Sequence, residues 1–214
     1  MGPIILVRHG QAESNISNLT GGWSQTALTD LGHHQAWLVA ARLKRELAVL
    51  EPSSYCSDLR RAAQTAEIIA EETGLQIVPE EGFRECNNGI AAGKTHEEAE
   101  GFLVPPTRPL LDWRQYPGSE TWREFYLRVS GCMERVTAEA EGPLLIVTHG
   151  GTIINVVAWW IRMPLDTLSD FSLRTYNTGI TILVETDLGE RAIERHNDVA
   201  HLQQDGMAAP FPIN

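Results

Sequence analysis

Two stretches of the chain carry four consecutive aliphatic residues behind a proline, Pro3-Ile4-Ile5-Leu6-Val7 and Pro143-Leu144-Leu145-Ile146-Val147. A strand with one wet face would alternate, so unbroken runs predict parallel strands covered on both sides. Between them the period changes. Ala36, Ala40, Leu43, Leu47 and Leu50 recur every three or four positions, the stripe of a helix packed on a sheet, opening at Thr29 or Asp30 and ended by Pro52. Ser54-Tyr55-Cys56 predicts a second strand. Ser57 or Asp58 then caps a helix to about Thr73, which Gly74 stops. A short third strand is expected at 76–78 and a glycine-bearing loop at 82–93. Pro105, Pro106, Pro109 and Pro117 interrupt the stretch that follows, so residues 90–118 are expected to form an irregular cap over the sheet. Helices at 120–140 and 152–160 flank the second aliphatic run, 178–184 pairs with 192–194, and the tail from about 203 to 214 is expected to be mobile. The order predicts a single α/β domain over 1–214, a three-layer α/β/α sandwich on a mostly parallel central sheet.

Composition narrows the partners. Hydrophobic residues make up 43% of the 214 positions, enough for a sizeable core. A formal net charge of −11 argues against general nucleic-acid or anionic-membrane binding, so any anion must be held by local arginines. Cys56, Cys86 and Cys132 are odd in number and scattered, which suits neither a disulfide framework nor a paired-cysteine metal site and is in keeping with a reducing compartment. The chain starts directly on a strand, with no leader-like segment and no apolar run of about 18 residues, so a cytoplasmic location off the membrane is expected.

Both aliphatic runs end in His-Gly, as Arg8-His9-Gly10 and Thr148-His149-Gly150. One histidine after a strand is often a local turn residue. Two in the same frame, at the strand ends where open α/β sheets bind ligands, point to a two-histidine site. Arg8 adds a fixed positive charge where a buried strand ends, which is costly unless an anion meets it. With Gly10 and Asn15, the loop holds a guanidinium fork, a backbone that can approach closely and an amide donor, the parts of a phosphate site. A neutral imidazole there, with an ordinary pKa of about 6.5, is also a nucleophile. On the second helix Arg60 and Arg61 point about 100° apart, so only one of them can face the strand ends.

The ordered set Leu6-Val7-Arg8-His9-Gly10 with Asn15, Leu28-Thr29-Asp30-Leu31-Gly32, Ser57-Asp58-Leu59-Arg60-Arg61-Ala62, Glu85, Pro117-Gly118-Ser119-Glu120, Val147-Thr148-His149-Gly150-Gly151 and Asn197 to Leu202 resembles the histidine phosphatase superfamily along nearly the whole chain. The resemblance implies His9 as the residue that becomes phosphohistidine. It implies Arg8, Arg61, His149 and Gly150 around the phosphate, with Asn15 as a further contact, and it selects Arg61 over Arg60. Glu85 falls where the family keeps its proton donor, although a salt bridge to adjacent Arg84 is the structural alternative. Two arginines and a protonated His149 would stabilise the charge of phosphoryl transfer, so neither metal nor cofactor is expected. The rival metal reading of His9, His149, His33 and His34 lacks a ligand spacing, since His33 and His34 diverge on a helix. His96, His196 and His201 read as surface or packing residues. Ala91-Ala92-Gly93 departs from the family's bulkier pattern and is expected to widen the pocket mouth, while Gln25 carries no assigned role.

The expected activity is phosphomonoester hydrolysis on a small metabolite. The alternatives are a mutase returning the phosphoryl group to a second hydroxyl and a binding module without turnover. His149 follows Glu85 by only 64 positions, shorter than in mutases of the resembled family, which favours the hydrolase. Expected partners are the small substrate and, at most, a second copy of the chain.

Overall fold

The computed structural model describes residues 2–206. Six strands form one sheet in the order β3-β2-β4-β1-β5-β6. They are β1 (Ile4–Arg8), β2 (Ser53–Cys56), β3 (Ile77–Pro79), β4 (Leu144–Thr148), β5 (Ile180–Glu185) and β6 (Arg191–Asp198). The β3-β2, β2-β4 and β4-β1 pairs are parallel, and β5 and β6 are added antiparallel. The mostly parallel sandwich is as the sequence predicts. The helices are α1 (Glu13–Ile16), α2 (Asp30–Glu46), α3 (Arg60–Thr73), α4 (His96–Glu100), α5 (Trp122–Glu139), α6 (Gly150–Trp160) and α7 (Ala200–Gln204).

The two aliphatic runs are the centre of the sheet. Ile4 pairs with Leu144 and each later residue with its counterpart, down to Arg8 with Thr148. Alternate side chains leave opposite faces. Ile4, Leu6, Leu144 and Ile146 pack with Phe125, Met133 and Trp160 of α5 and α6, while Ile5, Val7, Leu145 and Val147 pack with Val39, Leu43 and Ile69 of α2 and α3. This two-sided burial is why the runs do not alternate. Cutting one of these side chains to alanine would cost about 2–5 kcal/mol.

Polar punctuation sets the helix ends. The Thr29 hydroxyl accepts from Gly32 N at the start of α2, and Gly74 closes α3 at φ 78°, a left-handed conformation that a side chain would resist. Thr121 and Glu124 form a reciprocal capping box that starts α5 at Trp122, two residues later than expected. α6 begins at Gly150, directly behind the histidine, rather than at 152. The cap is less irregular than predicted: Thr95 and Glu98 cap the short α4, and Leu110–Asp112 make a single 3-10 turn. Ala91 does not widen a pocket mouth. It is fully buried against Ala99 and Tyr116. The expected mobile tail begins inside α7 at 203 and 204, and its part from 207 onward lies outside the described residues. Among the described residues no helix is long and apolar enough to cross a membrane.

Candidate active site

The parallel register of β1 and β4 builds the site. His9 N donates to Thr148 O at 2.9 Å, so the residues that follow the two strands leave the sheet side by side, and the His9 and His149 rings stand 5.1 Å apart. β2 supplies a third neighbour in the same way: Ser57 N donates to Val147 O at 2.9 Å, and Ser57 Oγ meets His149 Nε2 at 2.8 Å. The Ser57 hydroxyl also accepts the Leu59 N–H, and its own proton and second lone pair let it pair with either tautomer of His149. That buried Nδ1 has no hydrogen-bond partner among the described residues.

His9 is 3% exposed. Its Nδ1 lies 2.6 Å from Gly10 O, and because a carbonyl only accepts, Nδ1 carries the proton and Nε2 keeps the lone pair. Arg61 Nε donates to that Nε2 at 3.2 Å. Arg61 reaches it as a fixed fork, its Nη1 and Nη2 each donating at 2.9 Å to Ser24 O and Gly22 O. Arg60 is exposed, so the pair divides as the helix geometry requires. Arg8 Nη1 donates to Thr175 O at 2.5 Å, while its buried Nε has no partner among the described residues. Gly10 sits where a Cβ would lie 2.4 Å from Gly32 O, so only glycine lets the loop pass α2 this closely.

Glu85 does not pair with Arg84, which instead bonds Asp58 through Nε at 2.7 Å. The Glu85 carboxylate accepts the N–H groups of Cys86 at 2.8 Å and of Gly151, at the start of α6, at 3.0 Å. Its backbone is pinned from several sides. Trp23 Nε1 and Arg128 Nη2 both donate to Glu85 O, Arg128 is itself paired with Glu120 at 2.7 Å, and the Thr152 hydroxyl donates to Arg84 O. Asn15 is exposed and its Oδ1 accepts from Ala12 N at 2.9 Å, so the structure gives the side chain a capping contact on α1.

The charge balance is one-sided. Arg61 is buried and Arg8 half-buried, with the Glu85 carboxylate the main opposing charge. Burial, before any other cause, lowers the Arg61 pKa to about 10 and lowers that of Arg8. Burial followed by the positive charge of Arg61 and Arg8 holds His9 well below 6.5. The same causes, with His9 itself, do so for His149, so in the unliganded site His149 is neutral rather than protonated. Two closely placed guanidiniums, the unpartnered Arg8 Nε–H and the unpartnered buried His149 Nδ1 are costly alone, and a compact dianion offsets the excess positive charge. Among the described residues no three His, Cys, Asp or Glu side chains gather as metal ligands.

Several supports were not legible in the sequence. Gln25 Oε1 accepts Arg60 N at the head of α3, and the Thr65 hydroxyl accepts Gly10 N. Asn177 Nδ2 and Thr178 N donate to His9 O, and Thr178 Oγ1 meets buried His201 Nε2 at 3.1 Å. Ser57 alone had a usable signal, since it follows β2 as the histidines follow β1 and β4.

The chain resembles phosphoglycerate mutase-like protein 4 of Arabidopsis thaliana, at 29% identity over 210 residues covering 95% of this chain and 88% of that protein. A broad-specificity phosphatase of Saccharomyces cerevisiae is 26% identical over 207 residues, 93% of this chain and 86% of its own. Among solved structures, a mycobacterial glucosyl-3-phosphoglycerate phosphatase in complex with VO3 has a TM-score of 0.76 at 25% identity, covering 92% of this chain and 99% of that one. The sequence profile of the histidine phosphatase superfamily, branch 1, matches residues 4–199, and the chain belongs to that superfamily.

Proposed function

We propose that the chain is a phosphomonoesterase that hydrolyses small phosphorylated metabolites through a phosphohistidine on His9. The observation that carries this reading is the buried His9 Nε2, unprotonated and flanked by two guanidiniums with one carboxylate between them and neutrality. A phosphate dianion entering the site takes over the Arg8 and Arg61 donors, which frees the Nε2 lone pair from Arg61. Nε2 then attacks phosphorus, the phosphorus–oxygen ester bond breaks, and Glu85 in its acid form gives its proton to the departing alkoxide. In the second half the Glu85 carboxylate takes a proton from water, the oxygen attacks phosphorus, the nitrogen–phosphorus bond breaks, and inorganic phosphate leaves. The transferring group spreads charge over three oxygens, and Arg8, Arg61 and His149 are the donors that meet it, with Gly150 at the head of α6 beside them. Once the dianion has reversed the local field, His149 can also gain its second proton. Asn15 keeps α1 capped through Oδ1, and its amide N–H donors are the further phosphate contact.

Water is assigned as the phosphoryl acceptor because the 64 positions from Glu85 to His149 hold little beyond the five-residue α4, a few short turns, α5 and β4. The test is phosphate release across a panel of phosphomonoesters by wild-type and His9→Ala protein, with and without chelator, alongside conversion of 3-phosphoglycerate to its 2-isomer. Chelator-insensitive release by wild type and none by His9→Ala is expected. Isomerisation exceeding phosphate release would replace this reading with the mutase.

A further inference from the structure

The backbone that carries His9 is held from beyond the end of its own strand. The antiparallel register of β1 with β5 stops at Val7 opposite Ile180. Past that point Thr178 N donates to Arg8 O at 2.9 Å and to His9 O at 3.3 Å, and Asn177 Nδ2 donates to His9 O at 3.0 Å. The other side of the same peptide is tied as well, because Gly10 N donates to Thr65 Oγ1 at 3.1 Å. With both of its polar groups bound, the planar His9–Gly10 unit cannot rotate, and its position sets where Gly10 O meets His9 Nδ1. That contact keeps the ring proton on Nδ1 and the lone pair on Nε2.

Thr178 makes its bonds from a strained conformation. It is fully buried at φ 56°, in the left-handed region that a β-branched residue resists and a glycine adopts freely. What threonine adds there is a hydroxyl. The hydroxyl donates to Asn177 O at 2.8 Å, so toward His201 Nε2, 3.1 Å away, its oxygen accepts. The far side of the His201 ring agrees: Nδ1 faces Arg42 Nη1 at 3.4 Å, and a guanidinium only donates, which leaves the lone pair on Nδ1 and the proton on Nε2. His201 is buried, and burial lowers its pKa to about 4, so near pH 7 it is a neutral donor of fixed tautomer. Arg42 is anchored in turn, through Nε to Glu46 at 2.8 Å and through Nη2 to Asp198 at 2.5 Å, while Asp198 Oδ1 accepts Ala200 N at the head of α7. A chain of hydrogen bonds thus runs from α2 and α7, through one imidazole and one strained threonine, to the carbonyl of His9.

We infer that His201 is a positioning residue for His9: by bonding the Thr178 hydroxyl it holds the His9–Gly10 peptide in place, and so keeps His9 Nε2 unprotonated and aimed at phosphorus. The inference deepens the phosphatase reading above, on which the role of Nε2 as nucleophile rests. His201 touches neither the substrate nor the reacting atoms and acts through Thr178.

The test uses p-nitrophenyl phosphate, whose phenolate leaves with little help from an acid, so single-turnover rates report on the nucleophile rather than on Glu85. His201→Phe keeps a ring without the N–H, and Thr178→Val keeps the shape without the hydroxyl. A displacement of about 1 Å costs roughly 10²-fold, so each should lose about that much in rate while inorganic phosphate, measured by calorimetry, still binds within about threefold of wild type. His201→Gln, with an amide N–H in the place of Nε2, and Thr178→Ser should return the rate to within about fivefold of wild type. Combining His201→Phe with Thr178→Val should cost no more than the worse single change, since both cut one link. Rates within about threefold of wild type in both disruptive variants, losses that multiply, or no recovery in the two conservative variants would overturn the inference. If His201→Phe does not fold, the contrast of Thr178→Val with Thr178→Ser decides it. 15N NMR of the His9 ring reads the same link without turnover: wild type should show one tautomer, with Nδ1 protonated, and the disruptive variants a mixture. If no ester is hydrolysed while that difference is present, the phosphatase reading fails and the positioning role stands. The same His9 spectrum in every protein overturns the positioning role.

Discussion

Gly151→Ala separates Glu85's chemistry from its place in the fold. The new Cβ would lie 2.3 Å from Glu85 Oε1, against an ordinary carbon–oxygen contact of about 3.3 Å, so the carboxylate has to retreat by about 1 Å. It is the end of a flexible side chain, and the Phe125 ring edge, 3.0 Å away, needs only a small adjustment. The substitution sits in the first turn of α6, where alanine is a better helix former than glycine by up to about 1 kcal/mol, so stability should hold. Catalysis should not. A 1 Å misplacement of a reacting group costs roughly 10²-fold, and the loss should fall on esters whose leaving oxygen needs a proton. Single-turnover rates for an alkyl phosphate should drop by about 10²-fold, whereas p-nitrophenyl phosphate, with its stable phenolate, should lose less than about fivefold. Glu85→Gln should reproduce the same split. Equal losses on the two esters, or none, would refute the assignment of Glu85 as the acid.

Two further expectations test the electrostatics. Arg61→Lys keeps the charge but cannot hold Ser24 O, Gly22 O and the lone pair of His9 together, so kcat/KM should fall by at least about 10²-fold; a change within threefold would show that the fork is dispensable. His9 and His149 stay neutral in the folded protein well below pH 6.5, and burial lowers the His201 pKa to about 4, whereas in the unfolded chain all three take up protons near 6.5. The unfolded state binds more protons, so stability should fall as pH drops from 7 toward 4, by up to about 1.4 kcal/mol per pH unit for each histidine. Urea midpoints that stay flat between pH 7 and 5 would contradict this, and inorganic phosphate should offset part of the loss.

The sequence is most legible where one physical demand dominates. Burial on both faces forbids alternation in β1 and β4, so their aliphatic runs could be read directly, and with them the two histidines at the strand ends. β6 carries the opposite lesson. Its Arg-Ala-Ile-Glu-Arg-His-Asn-Asp sequence lies at the sheet edge with no residue fully buried, so only a part of it registered as strand. The turns of α1 and α4 are too short for a period to show, although Thr95 and Glu98 carry the capping pattern. Arg61 could be narrowed to one of two by helix geometry, and Glu85 only by family resemblance. Asn177, Thr178 and His201 escaped because each acts across a gap of more than 160 residues, or through a neighbour that does, and local pattern carries no trace of such contacts.

The central claim is a phosphoryl group carried on His9 Nε2. Rapid quenching during turnover of a phosphate-labelled ester, followed by peptide mapping and 31P NMR, should find one labelled group on the peptide containing His9, bonded to Nε2, stable in alkali and lost in acid as a phosphoramidate is. The same experiment on His9→Ala should find none. Label that survives acid, sits on another residue, or is absent from wild type when phosphoenzyme breakdown limits the rate would contradict the account.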